Sequence, residues 1–523
     1  MANKALFRST GSVTPATASN EAGGLAYDMT PEQALAQLAA TGTLSQTYYA
    51  SATAQLDTVR AVADQVHPAF IAKCAIYARE RGFMKDMPSL LCAMLAKADV
   101  RLLDQVFDRV IDNGRMLRNF VQILRSGAAG RRSLGSGPRR MVRRWLSSRS
   151  DEALFRASVG NAPSLADVIK MVHPRPETDS RRALYGYLLD RPHDGEALPQ
   201  IVRDYEAFKA GHTQVVPDVE FRLLTSLQLT SDHWAAIARR GRWHQTRMNL
   251  NAYGKHGVFE LPGMAELIAE KLRDAEAIQK AKVFPYQLLM AYKAASGAPR
   301  VVREALQDAM ELALSNVPEL PGKVYVFPDI SGSMSSPVTG QRRGGTSAVT
   351  CRDVAALVAS ALLRKNPSTV VVPFHDEVER CELNPRDTVM TNADKLAKLP
   401  SGGTNCSAPL AMLNQGKLEG DLVVYVSDNE SWVDSAPRQR QSRGTATLQQ
   451  WERFKKRSPG AKLVCVDIQP YVTTQAHERQ DVLNVGGFSD AVFTVIADFV
   501  ADRLRPDHWV GVIDETDLGS ASG

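Results

Sequence analysis

The hydrophobic period of this chain changes once, near residue 318, and that change divides it. From 25 to 317, apolar residues recur every three or four positions, the spacing of helices that bury one face. The first helix is announced by Thr30-Pro31-Glu32: a capping hydroxyl, proline in the first turn, then an acid. Ala34, Leu35 and Leu38 share its apolar face, and Thr41-Gly42 ends it. The same period predicts helices near 69–81, 87–97, 102–111, 117–124, 165–172, 181–189, 201–210, 220–227, 233–238, 264–272, 284–294 and 301–314. Pro318-Glu319-Leu320-Pro321-Gly322-Lys323 then breaks the pattern. Beyond it, apolar runs near 324–327, 369–374, 422–426 and 462–468 alternate with helical stretches near 353–364, 408–414, 447–456 and 490–504. Strands and helices in alternation predict a doubly wound parallel sheet, an α/β domain.

Helices of this length, joined by short turns, suit a stack of antiparallel pairs. No crisp repeat is visible, which favours degenerate HEAT-like repeats over a consensus array. A compact irregular bundle is the alternative, but a single core stops growing at about this size. The expected organisation is multidomain: a loose polar arm over 1–24, an all-α region over 25–317, a linker over 318–323, the α/β domain over 324–510 and a tail over 511–523.

Composition adds limits. At 523 residues, with 44% hydrophobic and 23% charged positions, the chain can bury two or more cores. No apolar run approaches the ~18 residues that span a bilayer, and residues 1–24 lack the apolar core of a signal peptide. Six cysteines without a C-x-x-C pair point to free thiols in a reducing cytosol, hence a cytoplasmic protein.

The net charge of +6 matters for its distribution. From Arg115 to Arg149 stand Arg115, Arg118, Arg125, Arg131, Arg132, Arg139, Arg140, Arg143, Arg144 and Arg149, with no acidic residue between them. Gly127, Gly130, Gly135, Gly137 and Pro138 break the middle, so a basic loop feeds a basic helix that ends near Trp145. A merely solvated face, the alternative, normally mixes signs. Arginine in place of lysine favours forked contacts to phosphate and stacking on bases, so Arg131, Arg132, Arg139, Arg140, Arg143 and Arg144 are candidate nucleic-acid contacts. The predicted helix over 165–172 closes with Lys170 and His173 before a proline, where a cation also complements the helix dipole. The stretch 239–257 mixes cations, amides and aromatics without an acid, which adds Arg239, Arg240, His244 and Arg247.

The apolar run 324–327 leads into Asp329-Ile330-Ser331-Gly332-Ser333, an Asp-x-Ser-x-Ser loop at a strand's carboxyl end. Thr404 follows a double glycine, and Asp428 ends the next apolar strand but one. Two carboxylates and three hydroxyls suit one hard divalent cation, Mg²⁺ first among them. Ordinary turn chemistry is the alternative. Catalysis is not expected: there is no phosphate-cradling G-x-x-x-x-G-K-[ST] loop, and Ser331 stands where aspartyl-phosphate chemistry wants a second acid.

Asp329, Ser331, Ser333, Thr404 and Asp428 resemble the five-residue metal set, the metal-ion-dependent adhesion site, of a von Willebrand factor A domain. The whole chain resembles the Ro autoantigen family in its bacterial branch. The likeness runs through Asn20-Glu21-Ala22-Gly23-Gly24-Leu25-Ala26-Tyr27, the basic loop, Val172-His173-Pro174, residues 243–251, Asp329-Ile330-Ser331-Gly332-Ser333 and Ser427-Asp428-Asn429-Glu430. The resemblance implies a ring of HEAT-like repeats (the TROVE module) followed by a von Willebrand A domain. It implies small noncoding Y RNA on the outer basic face and single-stranded 3′ ends of misfolded RNA in the hole. A 3′ exoribonuclease partner, RNA quality control, maturation or decay, a part in the stress response, no DNA specificity, no membrane and a monomeric state follow from it. Lys170 and His173 match the family's RNA-contact helix, and Arg139 to Arg144 its basic segment. The alternative is a metal-dependent adaptor whose A domain captures an acidic group on a protein partner.

Overall fold

A computed structural model describes residues 14–41, 44–281, 285–314, 317–341, 349–433, 444–487, 490–505 and 507–519. They form two compact units. One contains the described residues up to Val62 and most of Leu314–Val512; the other contains the helices from Ala63 to Ala313 and the residues from Ile513 onward.

The helical unit follows the amphipathic pattern closely. Val100–Val110 buries Leu103, Val106, Phe107 and Val110, and Asp99 caps it by accepting from the backbone of Arg101 and Leu102. Gly114–Ser126 buries Met116, Leu117, Phe120, Val121 and Leu124. Phe107 meets Phe120 edge-on at 5.2 Å between centroids. Gly127 ends that helix with φ of 87°, a left-handed cap that glycine takes without strain. Ser136–Ser148 buries Pro138, Met141, Val142, Trp145 and Leu146, and the indole of Trp145 donates to the Ile111 carbonyl at 2.7 Å. Each such aliphatic or aromatic side chain contributes about 1.5–3 kcal/mol on burial. Neighbours along the chain pack together: Pro68–Glu80 on Asp86–Ala98, Asp86–Ala98 on Gly114–Ser126, Val100–Val110 on Ser136–Ser148, and Met264–Arg273 on Arg300–Ala313. That is the serial packing of a helical stack.

In the other unit, five parallel strands lie in the order Val370–Val371, Val324–Pro328, Leu422–Ser427, Lys462–Asp467, Val482–Gly486. Their buried β-branched and aromatic runs form the core with Trp451 and Phe454. The chain leaves Val324–Pro328 toward one side of the sheet and later returns to its other side at Leu422–Ser427. The switch point therefore lies between these two strands, whose carboxyl ends carry Asp329 and Asp428.

Four expectations need correction. The loose arm over 1–24 does not extend to the described residues of that range: Ala18–Ser19 pairs with Leu25–Asp28, which pairs with Thr473–Thr474, and Tyr27 is buried in the sheet unit's core. The start of the helical region moves with it, because residues 25–62 pack with the α/β domain. The described residues of the expected tail are held too: Asp514 pairs with Lys73 at 2.8 Å, and the Asp517 carbonyl accepts from Arg109 at 2.5 Å. The strand expected over 369–374 shrinks to Val370–Val371, while Val482–Gly486 supplies a fifth strand that hydrophobic period did not single out. The expected end of the first helix at Gly42 lies outside the described residues.

Candidate functional site

The predicted metal set comes together at the switch point. Asp329, Ser331, Ser333, Thr404 and Asp428 are all buried. One Asp329 oxygen accepts the Ser331 backbone N–H at 2.8 Å and the other accepts the Ser427 hydroxyl at 2.6 Å. The Ser331 and Ser333 hydroxyls stand 3.3 Å apart, and Ser333 hydrogen-bonds Asp428. The Thr404 loop is tied in through Gly332, whose N–H donates to the Gly402 carbonyl at 3.0 Å. Trp432 and Val433 crowd Gly403 so closely that a Cβ there would fall 2.7 Å from Val433, so the loop needs its glycine.

Four buried acids crowd this edge. Burial, and then the Asp329 charge, raise the Asp428 pKa to about 7. Burial also raises Asp329, with Arg352 as an opposing positive charge. Two further acids sit behind them: burial lifts Asp467 to about 8 and Glu430 to about 9. Four buried carboxyls at one edge cannot all ionise without counter-charge. Among the described residues no three His, Cys, Asp or Glu side chains converge as a metal cage, so a cation here leans on the hydroxyls. The donor set fits a hard divalent ion. Both Asp329 and Asp428 already accept hydrogen bonds, so Ser331 and Ser333 are the better inner ligands, with Asp329, Asp428 and Thr404 acting directly or through water.

The basic candidates divide. Arg140 pairs with Asp104 at 2.9 Å, and Arg144 with Asp104 at 2.6 Å and Asp108 at 2.9 Å. The acids missing from the 115–149 run are supplied by the polar face of Val100–Val110. Arg131 braces the loop by donating to the carbonyls of Ala96 and Leu134. Arg143 donates to the Val172 carbonyl, which brings it to the end of Leu165–Val172, where His173 adopts φ of 50° and caps the helix. Arg132, Arg139, Arg143, Lys170 and His173 are exposed, and Arg239 and Arg240 lie on the surface at the end of Ser231–Arg240. Arg247 is a correction: it is buried and donates to the Gln287 carbonyl at 2.7 Å, so its role is structural.

The fold adds a group that spacing could not find. Arg79, Lys85, Arg115, Arg118 and Arg222 come within electrostatic reach of one another in a chain of contacts, against the carboxylates of Asp86 and Asp112. His244 joins through Lys85: burial, then the charges of Arg247 and Lys85, lower its pKa to about 4, although the residue as a whole is exposed. Arg79 ends Pro68–Glu80, Arg115 and Arg118 share Gly114–Ser126, and Arg222 lies on Phe221–Leu224; Lys85 and Arg115 stand at the starts of Asp86–Ala98 and Gly114–Ser126, where backbone N–H groups add to a positive field.

Residues 323–500 match the family described as the Ro60 vWA domain. The RNA-binding protein RO60 of Deinococcus radiodurans is 27% identical over 93% of this chain and 95% of its own length. Along nearly its whole length this chain is similar to that bacterial protein. The crystal structure of the Deinococcus radiodurans RO (RSR) protein shares the fold, with a TM-score of 0.60 over 91% of this chain and 100% of that one at 22% identity. In this chain a helical region is followed by a domain of the von Willebrand A kind.

Proposed function

We propose that this chain is an RNA-binding protein of the Ro kind that acts without catalysis of its own. The observation that carries the reading is the gathering of Arg79, Lys85, Arg115, Arg118 and Arg222, of which Arg79 and Arg115 pair with Asp112 and Asp86. Such a group attracts a phosphate backbone without reading its sequence, and it suits a single-stranded 3′ end. The relative's name, RNA-binding protein RO60, points the same way. A structured RNA of the Y type would lie on the surface of Arg132, Arg139, Arg143, Lys170 and His173. Delivery of misfolded RNA ends to a 3′ exoribonuclease, in maturation, decay and stress, is the cellular role we infer, in a cytoplasmic monomer. No helix among the described residues is long and apolar enough to cross a membrane.

In the A domain, Asp329, Ser331, Ser333, Thr404 and Asp428 would hold one Mg²⁺, whose charge offsets the buried acids. The test of the RNA reading is a salt titration of a single-stranded RNA with wild type and with Lys85→Gln/Arg222→Gln. Two lost phosphate contacts should flatten the log–log slope by about 1.4. Equal affinity and slope in the two proteins would overturn the reading.

A further inference from the structure

The carboxyl edge that bears the metal set is covered by the chain's own N-terminal residues. Gln46 accepts from the Gln341 backbone N–H at 2.7 Å, anchoring a short loop over 46–50 beside the Ser333 turn. Thr47 receives the Tyr471 hydroxyl at 3.0 Å, and the Tyr49 ring packs edge-on to Tyr471 at 6.0 Å. The Tyr49 phenol hydrogen-bonds Ser333, one of the proposed inner ligands. Upstream, the Ala22 N–H donates to Glu430 at 3.1 Å, and the Asn20 amide donates to the Ser431 carbonyl at 2.7 Å. Both ends of the N-terminal segment are therefore fastened to the loops that form the site.

A cation held by two hydroxyls, with the acids direct or through water, keeps coordination positions for water or for an oxygen ligand from outside. A carboxylate from another molecule is the hard, anionic ligand such a position would take. We propose that the loop over 46–50 is a built-in plug of the metal centre: with its hydroxyl on Ser333, Tyr49 closes the cation to an external carboxylate until the loop lifts. Tyr49 also lines a cavity of about 130 Å³ with Ser51, Gln55 and Tyr471, which gives the ring room to swing. The exposed Tyr48 beside it offers a handle for whatever lifts the loop. On this reading the A domain is self-occupied at rest, unlike an adhesion site that stands open to acidic partners. The proposal rests on the metal reading above.

The experiment uses the full chain with Mn²⁺ as the metal and sodium acetate as the external carboxylate, and follows water-proton relaxation by the bound ion. Wild type, Tyr49→Ala, Tyr49→Phe and Asp329→Ala are compared, the last as the metal-free zero. A plug closed nine-tenths of the time or more weakens external binding by about tenfold or more. Acetate should therefore bind the Mn²⁺ of Tyr49→Ala at least about tenfold more tightly than that of wild type. Tyr49→Phe keeps the ring against Tyr471 and should move the same way by a smaller factor, which decides the matter if the alanine variant folds poorly. Mn²⁺ that binds wild type and takes acetate equally well in all three proteins would overturn the plug alone. If wild type holds no Mn²⁺ beyond Asp329→Ala, the metal reading falls and the plug falls with it.

Discussion

Asp104 and Asp108 hold the key to how much of the basic helix is available to RNA. They lie on the outward face of Val100–Val110 and pair with Arg140 and Arg144, so two of the four arginines on Ser136–Ser148 already have their charge matched. A guanidinium that neutralises a carboxylate releases no counterion when phosphate arrives, unless the phosphate displaces the acid. Asp104→Asn/Asp108→Asn should therefore strengthen RNA binding. Each phosphate contact contributes a slope of about 0.7–0.9 in the log–log salt plot, so freeing two arginines should steepen it by up to about 1.4–1.8. Between 50 and 200 mM salt that added slope corresponds to an extra affinity loss of roughly 7- to 12-fold. Stability should hardly change: the Arg144 and Asp104 side chains keep 33% and 24% of their exposure, and such pairs are worth about 0–1 kcal/mol. The assay is fluorescence anisotropy of a structured RNA at four or five salt concentrations, with Arg139→Gln/Arg143→Gln as the opposite perturbation. That variant should flatten the slope by a similar amount. If the asparagine variant has the wild-type slope and affinity, Arg140 and Arg144 do not meet RNA and this helix is a solvated face.

Asp329→Ala should remove stoichiometric Mg²⁺ measured by elemental analysis while leaving RNA affinity nearly unchanged; metal content equal to wild type would refute the assignment. His244 gives a pH signature. Its folded pKa of about 4 lies below the ordinary 6.5, so its contribution to stability is fully present above pH 6.5 and is lost as pH falls toward 4. A bound phosphate would favour the charged ring, so single-stranded RNA should bind more tightly at pH 5 than at pH 7, with proton uptake. His244→Gln should lose that pH dependence; a dependence that survives in the variant assigns it elsewhere.

The sequence by itself determined the main elements and which side chains reach the sheet's carboxyl edge, because both depend on local pattern. A period of three to four marks the buried stripe of Gly114–Ser126, and a buried β-branched and aromatic run marks Val324–Pro328. Asp-x-Ser-x-Ser at a strand end carries its chemistry within five residues. Even the placement of Asp428 follows, since parallel strands bring their carboxyl ends to one edge. Short or distant pairings were not legible in the same way. Ala18–Ser19 and Leu25–Asp28 are too brief to show a period, and only their hydrogen bonds and the burial of Tyr27 draw the N-terminal residues into the A-domain unit. Charge was legible as a run but not as a field. Nothing in the acid-free stretch from Arg115 to Arg149 says that Asp104 and Asp108 will face Arg140 and Arg144, or that Arg247 will be buried. Lys85, Arg118, Arg222 and His244 are scattered over about 160 positions of sequence. Coulomb interactions act through space and fall off within about 10 Å in salt, so only the packing of the helices decides which cations form a site.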